Sequence, residues 1–242
     1  IKTTDNGYVI IGQSNSNNSD VTGNHGLDDV WVVKLSANGV IEWQKSYGGS
    51  NHDLGQSISS TSDGGYIFTG MTRSNDGDVV GGNVNSNNMY NWVVKVDNSG
   101  TIQWQKIIST GWGYKILQLP NGEYIGLSSY GGIGLFKLNA NGDILWLTSL
   151  GGSGLEYPGD LIINGDNFII TGQTNSIDGD ISGNNGGFDA WIVKTDFLGN
   201  ILWEKNFGGS SSDSITNIQQ TADSGVWYPR RRGLCGFRLP GR

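Results

Sequence analysis

The chain has 242 residues, 40 of them glycine and only 4 proline, with a formal charge of −7. Glycine at more than twice its usual share of about 7%, without proline, argues for many tight turns rather than a disordered tract. Arg230, Arg231, Arg232, Arg238 and Arg242 are five of the fifteen basic residues, so residues 1–229 carry 22 acidic against 10 basic groups, a balance that excludes a nucleic-acid footprint. The single cysteine, Cys235, rules out an internal disulfide. No apolar run approaches the roughly 18 residues of a spanning helix, and no membrane insertion is expected. Ile1 falls inside a repeat, which reads as an excised or processed piece of a longer protein.

Two hairpin patterns alternate along the chain. The first is an alternating run, a turn and a second run, at Thr3–Gly12, Ser60–Gly70, Leu117–Ser128 and Ile162–Gly172, and it begins again at Ile218. Asp-Gly and Asn-Gly at its turns supply the positive φ that tight hairpins need. The second is a tryptophan unit: WVVKLSANGVIEWQK from Trp31, WVVKVDNSGTIQWQK from Trp92, a weaker GLFKLNANGDILWLT from Gly134, and WIVKTDFLGNILWEK from Trp191. Trp31, Val33 and Leu35 share one face there, and Ile41 and Trp43 share a face of the returning strand. Lys34, Glu42 and Gln44 alternate with them, which is the period of a strand.

Each repeat therefore reads as four antiparallel strands, a to d, with anchors Tyr8, Tyr66, Tyr124 and Phe168 spaced 58, 58 and 44 residues apart. Tandem four-stranded units point to an all-β chain, a β-propeller, in which the tryptophans pack blade on blade. The repeats run at about 1–46, 47–107, 108–149, 150–206 and 207–224, a single propeller domain over 1–224. Five blades, the last incomplete, are expected; the alternative is four, with Ile215–Thr221 completing the blade that starts at Ile1. Residues 225–242 match no earlier copy and read as a foreign or frame-shifted basic tail, with possible strands at Val226–Arg230 and Leu234–Leu239.

The phrases SDGGYIFTG, NSIDGDISGNNGGFDAWIVK and GNILWEKNFGGSSSD resemble the repeats of large secreted and cell-surface proteins of Bacteroidetes-type bacteria. The resemblance covers about residues 1–224. It implies a propeller-like fold and a secreted or cell-surface location, and it says little about activity. The tail from Gly225 departs from it.

Strand direction puts the b–c loops and the d–a connections at one end of the sheets, where function is usually displayed. The b–c loops align Asn18, Asp76 and Asp178 at one position and Asp20, Asp78 and Asp180 two residues on. Hard cations such as Ca²⁺ want oxygen ligands of this kind; the alternative is that the side chains cap their own turns and no cofactor is held. The d–a connections repeat a Gly-Gly-Ser turn ending in Asp53, Glu156 or Asp213, and recurrence favours a turn-fixing role. The repeat fails in the third blade. There the connection shortens to Ser109–Lys115 and the b–c loop to Ser128–Gly132, beside the long loop Asn75–Asn91. Trp112, Tyr114, Tyr130 and Tyr90 are expected to line the resulting notch, where aromatic rings suit sugar faces. They also serve simply to fill the space.

Catalytic candidates are few. Glu156, His52, Asp53 and Asp213 are the groups available, with His25 as the other histidine. No nucleophile-elbow or nucleotide-binding motif accompanies them. The reading is a binding or scaffold propeller whose loops meet a polysaccharide or a surface protein. The alternative is a carbohydrate-active or ester hydrolase using carboxylates of the long-loop face.

Overall fold

A computed structural model describes residues 1–81, 84, 85 and 87–221, together with the backbone of strands Val226–Tyr228 and Phe237–Leu239. The chain is all-β, as its alternating runs require. The first sheet holds β1 (Tyr8–Ser14), β2 (Asp29–Leu35) and β3 (Ile41–Tyr47). The second holds β4 (Asp53–Ser60), β5 (Tyr66–Thr72), β6 (Tyr90–Val96) and β7 (Ile102–Thr110). The third runs from β8 (Gly113–Gln118) through β9 (Tyr124–Ser129) and β10 (Ile133–Leu138) to β11 (Ile144–Leu150). The fourth holds β12 (Glu156–Asn164), β13 (Asn167–Thr174), β14 (Asp189–Asp196) and β15 (Ile201–Phe207). A fifth joins β16 (Gln219–Gln220), β17 (Val226–Tyr228) and β18 (Phe237–Leu239). Neighbours in sequence are neighbours in each sheet, the up-and-down order of a propeller blade.

Several boundaries move from their expected places. Strand β16 covers only Gln219–Gln220 of the expected Ile215–Thr221, and it pairs with β17 rather than with β1. The tail strands are shorter than Val226–Arg230 and Leu234–Leu239, and the rest of the tail, Cys235 included, lies outside the described residues. Tyr90 and Asn91 belong to β6 rather than to the preceding loop, and β7 runs on to Thr110, so the connection into the third sheet is only Gly111 and Trp112.

Two compact units divide the chain: Ile1–Ser128 with Phe136–Trp146, and Ser129–Leu135 with Leu147–Arg242. In the first, the core is Val9, Val30, Val32, Tyr47, Phe68, Trp92, Val94 and their neighbours. Successive sheets stack through aromatic pairs: Trp43 on Tyr66 at 6.1 Å, Tyr47 on Phe68 at 5.2 Å, and Trp104 on Tyr124 at 5.6 Å between ring centroids. In the second unit Ile215 and Ile218 lie against Ile169, Ala190 and Ile192, with Trp203 and Phe207 at the margin.

Stacking explains why alternation underestimates burial. Lys34 falls among the polar positions by alternation, yet it and its counterpart Lys95 are 4% and 2% exposed, because the next sheet covers the face on which each lies. Three of the c–d hairpins are bulged beside their lysine, between Lys34 and Leu35, Lys95 and Val96, and Lys194 and Thr195. In the first two sheets the extra residue on the d strand turns toward the ammonium: Lys34 Nζ donates to Glu42 at 2.7 Å and Lys95 Nζ to Gln103 Oε1 at 2.8 Å. A carboxylate from the a–b turn completes each site, Asp5 for Lys34 and Asp63 for Lys95, both at 2.8 Å. Burial alone would raise the Asp63 carboxyl; the hydrogen bonds from Lys95, Thr61 and Gly65 outweigh it and hold it at about 2. The first tryptophan of each unit is clamped across the hairpin, Trp31 to Gln44, Trp92 to Gln105 and Trp191 to Glu204 at 2.7–2.9 Å. Gly39, Gly100, Gly142 and Gly199 close the c–d turns at φ of 78° to 85°, a region that side chains with a Cβ rarely enter.

Two predictions follow from burial and from charge. Phe68 is fully buried, so Phe68→Ala should cost about 3–5 kcal/mol in urea unfolding, whereas Ile10→Ala, at 51% exposure, should cost less than about 0.5 kcal/mol. The stability that the depressed Asp63 carboxyl contributes is complete above the unfolded value near 3.8 and is lost as pH falls toward about 2. An Asp63→Asn variant should therefore melt lower than the parent at pH 6, with the gap closing near pH 2.

Candidate functional site

The b–c loops and the d–a connections meet, and their acidic residues do the joining. Asp53 opens β4 fully buried. It accepts from the hydroxyls of Thr72 and Ser74, the latter at 2.7 Å, and from the Gly49 amide at 2.8 Å. Glu156 opens β12 in the same role, accepting from Thr174 Oγ1 at 2.7 Å, Ser176 Oγ at 2.6 Å and the Gly152 amide at 3.4 Å. Asp213 accepts from the Gly209 amide at 2.9 Å.

The paired acids of the loops complete a staple. Asp76 accepts the Ser50 amide at 2.7 Å, and Asp178 the Ser153 amide at 2.8 Å. These amide bonds come first among the causes that hold both carboxyls below the usual range. Asp78 and Asp180 accept from Gly48 and Gly151 at 3.2 and 3.0 Å, and their own amides donate back to the same residues' carbonyls. A Cβ on Gly49 or Gly152 would strike Asp76 or Asp178, and one on Gly48 would strike Asp53 and Asp29, so the Gly-Gly-Ser turn is set by the close approach of the acids. Asn18 and Asp20 occupy the matching positions of the first loop, where the Asn18 carbonyl accepts from Val21. Among the described residues no group of three or more His, Cys, Asp or Glu is arranged to hold a metal ion.

A second acid stands against Asp53. Asp29 opens β2 fully buried; one oxygen takes the His25 amide at 2.9 Å and ring Nδ1 at 2.7 Å, while the other has no hydrogen-bond partner. Both Asp29 and Asp53 approach the Gly48 Cα. Burial, before any other cause, raises both carboxyls, and the Asp29 charge adds to the shift at Asp53. The fourth sheet repeats the arrangement with Asp189 and Asp213, and Asn185 stands where His25 does, donating to Asp189 from amide and side chain. Between β10 and β12 the pair is replaced: Gly132 leaves space, and the longer Glu156 reaches into it. His52 sits on the surface of the connection from β3 to β4, its Nδ1 2.6 Å from Asp28.

A cleft of about 430 Å³ opens between the first loop and the c–d turn of the second sheet. Thr22, His25, Gln44, Lys45, Tyr47, Asp78 and Thr101 line it. Gln44 is held from both ends, accepting from Trp31 at 2.8 Å and donating to Thr22 at 2.6 Å. Tyr47 donates to the Gly100 carbonyl at 2.6 Å, and burial keeps its hydroxyl well above the usual tyrosine range. Sequence reasoning missed this cleft. Its one signal was His25, the position where the repeat exchanges asparagine for an ionisable ring.

Of the aromatics expected at the notch, two close on one arm of the long b–c loop. Trp112 Nε1 points to Met89 Sδ at 2.7 Å, and the Tyr90 hydroxyl accepts the Asn85 amide at 3.2 Å. Tyr114 lies in β8, and Tyr130, 40% exposed, belongs to the other compact unit.

A raised carboxyl destabilises the fold above its folded pKa and ceases to do so as pH falls through it. Asp29→Asn should therefore raise the melting temperature at pH 7, with the gain shrinking by pH 4, as followed by circular dichroism at the two pH values.

No protein-family model and no curated protein matches the sequence. Solved structures do match in shape. BamB from Moraxella catarrhalis aligns at a TM-score of 0.50 and 15% identity over 83% of this chain and 53% of its own. The Dos1 propeller aligns at 0.51 and 10% identity over 83% of this chain and 48% of its own. The chain spans about half the length of these propellers. At such identities the likeness concerns the fold alone: four-stranded antiparallel blades of a β-propeller.

Proposed function

We propose that the chain is a binding or scaffold propeller that displays its b–c loops and d–a connections for recognition of a polysaccharide or a surface protein at the outside of the cell. One observation carries the reading. Asp53, Glu156, Asp76 and Asp178 at the loop end all hold hydroxyls or backbone amides of the loops themselves. Carboxylates engaged in this way make a rigid display surface. The cleft around His25, Gln44 and Lys45 supports a ligand rich in hydroxyls, since it combines donors, acceptors and a tyrosine wall. The Trp112 and Tyr90 arm is the second surface of this kind. On this reading the acidic loops are staples, and their hold does not depend on Ca²⁺.

A hydrolase reading rests on the half-exposed His52–Asp28 pair, which has the geometry of a base and its orienting carboxylate. Affinity electrophoresis against a panel of neutral and acidic polysaccharides separates the two readings. Retardation lost in Lys45→Ala or Gln44→Ala is expected. Absence of retardation, together with turnover that disappears in His52→Ala or Glu156→Gln, would replace the binding reading by the hydrolase. Melting temperatures in Ca²⁺ and in chelator should coincide; a rise of several degrees with Ca²⁺ would return the loops to a metal role.

A further inference from the structure

The junctions between successive sheets repeat one lysine, and at the first of them its acid is missing. Lys45 on β3 and Lys106 on β7 each follow the second tryptophan of their unit by two residues. At the junction of the second and third sheets, Lys106 Nζ reaches Asp143 Oδ1 at 3.3 Å, in the c–d turn of the next sheet. At the junction of the first and second, Thr101 holds the position of Asp143, three residues before the tryptophan. Lys45 Nζ meets only its hydroxyl, at 3.5 Å. Among the described residues no carboxylate forms an ion pair with Lys45. Asp97, in the same turn, is held low first by the Ser99 hydroxyl and the Thr101 amide, and last by the charge of Lys45. All four partners, Lys45, Thr101, Lys106 and Asp143, lie in the first compact unit.

The other side of the same cleft departs from the repeat as well. His25 stands where the fourth sheet has Asn185. Asp29 Oδ2 already accepts the His25 amide, so it also accepts from ring Nδ1, at 2.7 Å, and Nε2 is left as an acceptor. The His25 side chain is 38% exposed and lines the cleft. Thr22 Oγ1 accepts from Gln44 at 2.6 Å, which leaves its own hydrogen to give. Asp78 lines the cleft as a second acceptor.

We propose that this cleft holds an isolated uronate ring of a saccharide, its carboxylate taking against Lys45 the place that Asp143 fills against Lys106. The ring hydroxyls donate to His25 Nε2 and Asp78 and accept from Thr22. The proposal rests on the reading of the cleft as a saccharide site, and adds the charge of the sugar. The space of about 430 Å³ lies within the roughly 300–1,000 Å³ of small-molecule sites. Asp78 disfavours a chain charged at every ring, because a neighbouring carboxylate would be brought against it. One carboxylate among neutral rings answers both the lysine and the acceptors.

The test titrates the full chain by calorimetry at low ionic strength. One ligand is a disaccharide of glucuronic acid and glucose; the other is the same disaccharide with the carboxyl reduced to an alcohol. The uronate is expected to bind about tenfold or more tightly, as for a charge-assisted hydrogen bond against a neutral one. Lys45→Met should bring the uronate down to the affinity of the neutral sugar and leave the neutral sugar unchanged. Thr101→Asp rebuilds the pair of the second junction, and should abolish the preference without lowering the melting temperature. Equal binding of the two sugars, or a preference that survives both substitutions, overturns the assignment and leaves the display reading standing. Binding of neither sugar overturns the assignment together with the saccharide reading of the cleft.

Discussion

The carboxylate that ends each Gly-Gly-Ser connection ties the chain together. Asp53 and Glu156 are each the first residue of a new sheet, and each is bonded to the far end of the next strand and to the turn just left. A buried carboxylate is costly unless donors surround it, so the position of the acid dictates hydroxyls at Thr72 and Ser74, or at Thr174 and Ser176. It also dictates glycine before it, since a Cβ at Gly48 would occupy the space of Asp53 and Asp29. The Gly-Gly-Ser turn, the loop acids and the strand ends are parts of a single hydrogen-bonded unit.

That unit makes the loop end stiff, and stiffness is what links the fold to the proposed display role. Loops held by four or five charge-assisted bonds present a defined surface with little ordering cost on binding. The many carboxylates at one end of the sheets each accept from hydroxyls or amides of the loops themselves. The departures from repetition are where individual character enters: His25 in place of Asn185, Gly132 opposite a longer Glu156, and Tyr90 where other copies have Asp29 or Asp189.

Much of the blade was legible from residue order. The strands, their antiparallel order and the c–d turns follow from period-two alternation and from glycines at fixed offsets, which are local properties. The recurrence of Asp53, Glu156 and Asp213 was visible as a turn-fixing signal, although their hydroxyl partners, about twenty residues away, were not. The burial of Lys34 is not visible in alternation, because alternation treats its face as wet and the next sheet covers it. The cleft beside His25 and the latch of Trp112 on Met89 each join segments that the sequence sets apart by 20 residues or more.

By itself the sequence determined which segments are strands, where they turn and which positions recur, because backbone sterics and hydrophobic period act over a few residues. Only the tertiary structure decided which of those positions are buried and which acids face each other across Gly48. Those outcomes depend on what the neighbouring blade supplies. Tyr66 and Tyr8 have the same side chain in the same local pattern, yet one is buried by Trp43 and the other faces solvent.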